Sequence, residues 1–501
     1  MEALPASEAQ EESLGNLWEF ARFLRDSHIP ANFVDILQKS RQESSLESES
    51  IPGSDSAMGL KSGDAGVKAT LRHRYPTAFR EVSSLLELRV MADVSREATS
   101  IAIDGNVLLM NMPHGAFEDT CAYVVRAVFS ALDVAGMVFV VFDEPECMPK
   151  AKFEEQMRRD GAALKKAVKC SADLREPHSD SFTLEQLLGV HDVREVLKHR
   201  PARCRLYDTV MARVCEILRP TLASSGADVL IDGMDRRAHE RPAGAPREPV
   251  IVSAKGSVAV EEVFSHEREG EGDIKLAVIA DTVRELALCR ALHISQTVDT
   301  DSLGIGLLEC ARRRAEQVPS STCEILAMKS RAKKNADGSY TPGAYVCADM
   351  ALLHALVLKD LHSMTPHVAF TPIVCRQAIT LLVAAFVACG SDYAEVKGMR
   401  VDHAFEATAK LMGGAPSTAK LMRGAWSGNL ALTKKAVIAV RALVDDCANQ
   451  LENVPRSRKA IVAAMRSADQ ALLMRIVWVA SYWSGHEFED VGTFGFSLLR
   501  G

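Results

Sequence analysis

The chain has 501 residues, of which 59 are Lys or Arg and 66 are Asp or Glu, and 47% are hydrophobic. This composition is ordinary for a globular protein and excludes a wholly disordered or fibrous chain. The length suits two to four domain-sized units, or one large α/β domain with insertions. The formal net charge of −7 would argue against a nucleic-acid partner, but it is unevenly distributed. Residues 1–66 hold 12 acidic and five basic residues, so the remainder, with 54 of each, is neutral.

The cysteine pattern and the hydropathy of the sequence indicate the redox state of the cysteines and whether a membrane segment is expected. None of the 12 cysteines forms a C-x-x-C pair, and no Cys/His spacing fits a structural zinc site. With no signal peptide at the acidic N-terminus, we expect reduced thiols and an intracellular protein. The longest apolar run, Ile379–Cys389, is too short to span a bilayer, so we expect no membrane segment.

The first 66 residues differ from the rest of the chain. Residues 12–38 predict a helix, because Leu14, Leu17, Trp18 and Leu24 fall on one face. This helix is either a docking segment for a protein partner or an extra packed helix. Residues 40–66 are rich in Ser, Glu and Gly, which is typical of a disordered linker.

From residue 98 onward, strand and helix patterns alternate, which predicts a parallel sheet flanked by helices. The predicted strands are 98–104, 136–142, 227–231, 249–253, 293–298 and 323–328. The predicted helices are 115–134, a basic helix from Lys150, 273–290, 302–316, 371–388, 402–412, 431–450 and most of the last 60 residues. The predicted fold class is therefore α/β with a helical C-terminal region, in which Trp478, Tyr482 and Trp483 pack.

A short repeat lies in the C-terminal part of the chain. TAKLMGGA at 408–415 recurs as TAKLMRGA at 418–425. It is either a duplication in a surface helix and loop or a pair of loops that bind a nucleic-acid backbone.

Acidic residues stand where predicted strands end and helices begin. Seven are candidates for one site: Asp104, Asp143, Glu271, Asp273, Asp299, Asp301 and Asp392. In open α/β sheets, ligands bind outside the carboxyl ends of the strands. Clustered carboxylates repel unless cations neutralise them, and all-oxygen ligands suit Mg²⁺ or Mn²⁺. Any one of these acids alone is typical of a helix cap or a turn, so the hypothesis depends on their joint order.

That order resembles a known superfamily. Five segments, AIDGNVLLM, VVFDEPECMPKAKFEEQMRR, EGEGDIK, VDTDSL and ACGSDYAEVKGM, resemble successive blocks of the flap endonucleases and 5′→3′ exoribonucleases. The resemblance covers residues 66–412 and implies a PIN-like nuclease fold with two Mg²⁺ ions, for which Mn²⁺ can substitute.

The resemblance also implies roles for individual residues. Asp104, Asp143, Glu271 and Asp273 would hold the first metal, and Asp299, Asp301 and Asp392 the second. Lys152 and Arg159, seven residues apart on one helix face, would contact the scissile phosphate. Lys150, Gln156 and Arg158 are weaker nucleic-acid-binding candidates, and a solvated basic helix face is the favoured explanation for Lys150 and Arg158.

The chain departs from the family pattern in several places. An extension of about 65 residues replaces the usual N-terminal start, and GMRVD at 398–402 replaces a Gly-Ile-Gly signature. Nothing resembles a sliding-clamp motif. The predicted organisation is an N-terminal helical extension at 1–39, a linker at 40–66, a nuclease core at 67–400 with an insertion at about 160–250, and a helical region at 401–501.

Three functions remain open at this point. The Gly-Ser-Asp-Tyr block favours a structure-specific 5′ nuclease acting on DNA in replication or repair. The Gly-Glu-Gly-Asp block favours an RNA nuclease of the same fold, either a 5′→3′ exoribonuclease or an mRNA endonuclease like the herpesvirus host-shutoff proteins. The third alternative is a non-catalytic nucleic-acid-binding scaffold. The divergent spacing and the acidic tail suit a large DNA virus or a fast-evolving eukaryote. We expect a nuclear location if the source is a eukaryote or a virus that replicates in the nucleus.

Overall fold

The computed structural model describes fourteen stretches of the chain, which contain the central sheet and most of its flanking helices. They are residues 66–110, 117–142, 200–222, 227–231, 250–253, 272–285, 291–316, 322–330, 333–334, 340–341, 343–391, 393–414, 430–452 and 459–484. The predicted helix at 12–38, nearly all of the linker, the predicted basic helix from Lys150 and the second copy of the repeat lie outside these residues.

Ten strands and thirteen α-helices lie in the described residues. The strands are β1 Phe79–Val82, β2 Thr99–Asp104, β3 Met137–Val141, β4 Asp228–Ile231, β5 Val250–Ser253, β6 Leu292–Thr297, β7 Cys323–Lys329, β8 Lys333–Lys334, β9 Tyr340–Thr341 and β10 Tyr345–Asp349. The helices are α1 Val67–Arg74, α2 Leu85–Met91, α3 Gly105–Met110, α4 Phe117–Leu132, α5 Arg200–Leu222, α6 Gly272–Glu285, α7 Asp301–Ala315, α8 Met350–Met364, α9 Pro372–Cys389, α10 Val401–Met412, α11 Leu430–Glu452, α12 Lys459–Arg466 and α13 Gln470–Trp483.

Eight of these strands form one mixed sheet in the order β1-β10-β7-β6-β2-β3-β4-β5. The five central strands, β7, β6, β2, β3 and β4, run parallel, which confirms the predicted parallel sheet. Three antiparallel strands extend it: β10 and β1 beyond β7, and β5 beyond β4. The sequence patterns predicted β5 as a strand but did not predict β1 or β10. The pair β8 and β9 forms a separate ribbon.

Helices cover both faces of the sheet. On one face, α4 buries Cys121, Val124 and Val128, which recur at helical spacing, against Ile101 and Ile103 of β2. Helix α5 joins this cluster. On the other face, α6 packs on Ala102 of β2 and Phe139 of β3, α7 and α8 cover β7 and β10, and α9 packs on α7 rather than on the sheet. The fold is thus a three-layer α/β arrangement around two main cores.

Helix α9 is the apolar centre of the second core. In the described part of the chain it alone is long and apolar enough to cross a membrane by length and composition, and 78% of it is buried inside the protein. It packs between α7, α10 and α13, which is the behaviour of a core helix. The prediction of a helix at 371–388 is confirmed.

The C-terminal helices share the core that contains α9. Trp483 is fully buried, and Trp478 and Tyr482 pack beside it, as predicted.

The C-terminal end of helix α1 is bound to helix α8, because Arg74 and Tyr75 both donate hydrogen bonds to Oδ2 of Asp360, at 2.5 and 2.7 Å. The Arg74 guanidinium also lies 4.5 Å from the ring centroid of Phe405.

A buried carboxylate at the junction of β10 and α8 should make the stability of the fold depend on pH. Asp349 ends β10 and caps α8, accepting a hydrogen bond from the Leu352 amide at 2.9 Å. Burial raises the pKa of Asp349 to about 6, although the amides of Leu352 and Ala351 act in the opposite direction. The folded protein therefore binds this proton more tightly than the unfolded chain, and stability falls as the pH rises from about 4 to 6.

Asp349→Asn should stabilise the protein above pH 6, because asparagine keeps the cap without the buried charge. A pKa difference of about two units corresponds to ~3 kcal/mol, and this advantage should disappear below about pH 4. Urea unfolding of both proteins from pH 4 to 8 measures it. The buried imidazoles of His293 and His354, whose pKa values are lowered to about 4 and about 3 by burial, affect both proteins equally. A stability difference that is independent of pH would contradict the prediction.

Candidate active site at the carboxyl edge of the sheet

The strand order reverses between β2 and β6. From β2 the chain proceeds outward through β3 and β4, and it then returns to place β6 and β7 on the other side of β2. In open α/β sheets such a reversal opens a crevice beyond the carboxyl ends of the two central strands, where ligands bind. Four of the predicted acidic residues lie at these strand ends or on the helices beside them.

Asp104 is the last residue of β2 and is buried. Its Oδ1 atom accepts hydrogen bonds from the amides of Asn106 and Val107, at 3.0 and 3.3 Å, at the start of α3. A Cβ atom on Gly105 would lie 2.3 Å from Cε1 of the buried Phe142 ring, so the glycine permits the close approach of the β3 end. The carboxyl ends of β2 and β3 are thereby packed together around Asp104.

Asp273 lies in the first turn of α6 and is also buried. Its Oδ1 atom accepts a hydrogen bond from Oγ1 of Thr297, the last residue of β6, at 3.3 Å. The hydroxyl of Ser302, in the first turn of α7, donates to the same oxygen. The start of α6 is therefore bound to the carboxyl end of β6 and to the start of α7.

Asp299 and Asp301 follow β6 directly. The Asp299 amide donates to Oγ1 of Thr297 at 3.0 Å, and Oδ1 of Asp299 accepts from the Asp301 amide at 3.1 Å. Asp301 is the first residue of α7 and is fully buried, whereas Asp299 is half-buried. These bonds form two successive turns that carry the chain from strand to helix.

The surroundings favour negative charge at this edge. Asp273 and Asp301 lie at the N-termini of α6 and α7, where the helix dipoles stabilise anions. Amide and hydroxyl donors bind Asp104 and Asp273, which offsets part of the cost of burying carboxylates. The atoms with which these four acidic residues could bind a metal are carboxylate oxygens, the ligand type that Mg²⁺ prefers. Among the described residues, no three His, Cys, Asp or Glu side chains are grouped closely enough to hold a metal.

The other predicted site residues lie outside the described residues. They are Asp143, Lys150, Lys152, Gln156, Arg158, Arg159, Glu271 and Asp392. Two of their sequence neighbours are described: Phe142 is buried beside Gly105, and Tyr393 is buried against the rings of Trp478 and Trp483. The predicted metal and phosphate roles of the eight residues remain predictions.

The sequence interpretation overlooked Thr297 and Ser302. A signal for Thr297 was present, because His293, Ser295 and Thr297 alternate along β6 and thus share one face. The structure confirms this polar stripe: His293 hydrogen-bonds Ser100 of β2 at 2.7 Å, and all three residues are buried. Ser302 carries no comparable pattern.

A buried ionic cluster lies at the opposite ends of α6 and α7. It comprises Asp281, Arg284, Glu309, Arg312, Arg313 and Glu324. Arg313 pairs with Asp281 at 2.6 Å and with Glu324 of β7 at 2.5 Å. The two helices that present Asp273 and Asp301 are therefore held together at both ends.

The comparisons with known proteins add no identification. No family model matches this chain. No curated protein matches it either.

Proposed function

We propose that this protein is a divalent-metal-dependent nuclease that hydrolyses phosphodiester bonds, with a PIN-like fold. The observation that carries the proposal is that Asp104, Asp273, Asp299 and Asp301 all lie at or beside the carboxyl ends of β2 and β6, where the strand order reverses. A role as a helix cap or turn residue would explain any one of these four acidic residues when it is considered alone. Caps do not require four acids at the one edge of the sheet where ligands bind.

The proposed reaction divides the work among the residues of the chain. Asp104 and Asp273 would hold one cation and Asp299 and Asp301 a second, together with Asp143, Glu271 and Asp392. Bound Mg²⁺ ions lower the pKa of water and stabilise the charge that develops on the transferring phosphate. Lys152 and Arg159 would orient the scissile phosphate. The products would carry a 5′-phosphate and a 3′-hydroxyl.

Structured DNA is the proposed substrate because Gly390-Ser391-Asp392-Tyr393 resembles the flap-endonuclease block. Within this block, the hydroxyl oxygen of Ser391 accepts hydrogen bonds from the amides of Tyr393 and Ala394, at 3.2 and 3.1 Å. RNA is the alternative substrate of the same reaction.

A side-by-side cleavage assay tests the proposal. Purified full-length protein with Mg²⁺ is offered 5′-flap DNA, single-stranded DNA and 5′-phosphorylated RNA of matched length. We expect cleavage of the flap substrate that EDTA abolishes and that added Mg²⁺ or Mn²⁺ restores. Preferential cleavage of RNA would reassign the substrate and keep the mechanism. Cleavage that persists in EDTA, or binding of all three without cleavage under either metal, would overturn the proposed function.

A further inference from the structure

Two buried hydroxyl groups converge on one acid of the proposed site. Thr297 is fully buried and Ser302 is nearly so. Both donate hydrogen bonds to Oδ1 of Asp273, from different elements: Thr297 from the end of β6 and Ser302 from the start of α7. Asp273 itself is on α6, so three separate elements meet at a single carboxylate oxygen.

Thr297 also binds the acidic loop. The same Oγ1 atom that donates to Asp273 accepts the amide of Asp299, at 3.0 Å. One hydroxyl therefore fixes the carboxylate of Asp273 relative to the backbone that carries Asp299. A β-branched side chain at a strand end has a restricted χ1 angle, so the hydroxyl has little freedom to take another position.

Strand propensity alone does not call for a hydroxyl at this position. Valine has nearly the same shape as threonine and a higher tendency to lie in strands, and burying a hydroxyl costs free energy unless it is hydrogen-bonded. The hydroxyl of Thr297 makes one hydrogen bond to each of two proposed ligand residues, and Ser302 makes its bond to one of them.

We propose that Thr297 and Ser302 are positioning residues, which orient the Asp273 carboxylate toward the cation and set its separation from Asp299. This inference rests on the proposed function, because it assigns the two hydroxyls to the same cation site. Since both donate to one oxygen, either can hold it in part when the other is lost. Their effects should therefore not be additive.

The test measures cation affinity directly in four variants: Thr297→Val, Ser302→Ala, the two combined, and Thr297→Ser. Mn²⁺ binding is followed by electron paramagnetic resonance, and the Mg²⁺ concentration for half-maximal cleavage is measured in parallel. Loss of groups that orient metal ligands lowers affinity by about 10- to 100-fold. We expect this range for the combined variant, smaller losses for the single variants, and near-normal affinity for Thr297→Ser, which keeps the hydroxyl.

Thr380→Val is the matched control. Thr380 is equally buried, in the middle of α9, where its hydroxyl donates to the carbonyl of Arg376 at 2.8 Å. This control should leave Mn²⁺ affinity unchanged. Circular dichroism confirms that each variant is folded before its affinity is compared.

The outcomes separate the two proposals. Weaker Mn²⁺ binding in Thr297→Val that Thr297→Ser restores supports the positioning role. Wild-type affinity in the combined variant overturns that role and leaves the nuclease proposal intact. An equal loss in Thr380→Val would also overturn it, because the effect would then belong to any buried hydroxyl. If wild-type protein binds no Mn²⁺ and cleaves nothing, the proposed function fails, and the positioning role fails with it.

Discussion

Replacing Asp299 with alanine is expected to abolish metal-dependent cleavage and to leave nucleic-acid binding largely intact. Asp299 lies between the end of β6 and the start of α7, beside the point at which the strand order reverses. Loss of a metal ligand removes charge stabilisation from the transition state more than from the bound substrate. We expect the single-turnover rate to fall by about a thousandfold, which corresponds to ~4 kcal/mol. Fluorescence anisotropy in Ca²⁺ measures binding separately.

A second variant separates the charge of Asp299 from its structural bond. Its Oδ1 atom accepts the Asp301 amide at 3.1 Å, and Asp299→Asn keeps that acceptor. If the carboxylate holds a cation, the asparagine variant should lose nearly as much activity as the alanine variant. A rate near the wild-type value for asparagine would show that only the turn matters and would remove Asp299 from the metal site. Asp133→Asn, at an exposed position after α4, is the matched control.

The sequence allowed the central strands to be predicted because their patterns are local. β2 and β3 are buried, rich in β-branched residues and six and five residues long; β2 ends in an acidic residue, and another stands two positions after β3. β1 was missed because its four residues, FREV, include two charges. β10 was missed because it continues into α8 without an intervening turn. Their pairing joins Phe79 to Ala348, far apart in the chain, and no local pattern encodes such a contact.

The candidate site was predictable in its charges but not in its supporting bonds. The positions of Asp104, Asp299 and Asp301 follow from strand ends, and the sheet order brings those ends to one edge. The bonds from Thr297 and Ser302 to Asp273 depend on where α6 lies over β6, which is a tertiary relationship. Likewise, three consecutive arginines at 312–314 are typical of a solvated helix end, yet Arg313 is only 7% exposed.

Replacing Arg313 should cause the largest loss of stability, because it would leave the buried carboxylate of Glu324 without its ion-pair partner and remove one of the arginines paired with Asp281. Arg313 pairs with Asp281 and Glu324, whose side chains are only 11% and 12% exposed. Removing one member of a buried ion pair costs about 3–5 kcal/mol. We expect Arg313→Met, which keeps the apolar bulk, to lower the free energy of unfolding by this amount in urea. Arg213→Met is the control, because its pairs with Glu118 and Glu216 are exposed and such pairs contribute about 0–1 kcal/mol.

The pH dependence of the stability lost in Arg313→Met shows whether the unpaired Glu324 carboxylate causes that loss. Burial alone would raise the pKa of Glu324, but its ion pair and hydrogen bond with Arg313 outweigh burial and lower that pKa below the ordinary value. The stability from this pair is therefore present above about pH 4.5 and is lost as the pH falls further. The difference between wild type and Arg313→Met should shrink in the same range, and adding Glu324→Gln to the variant should recover part of the loss at neutral pH. A difference that stays constant as the pH falls from 7 to about 3, with no recovery from Glu324→Gln, would show that Arg313 stabilises the junction of α7 and β7 by packing rather than by charge.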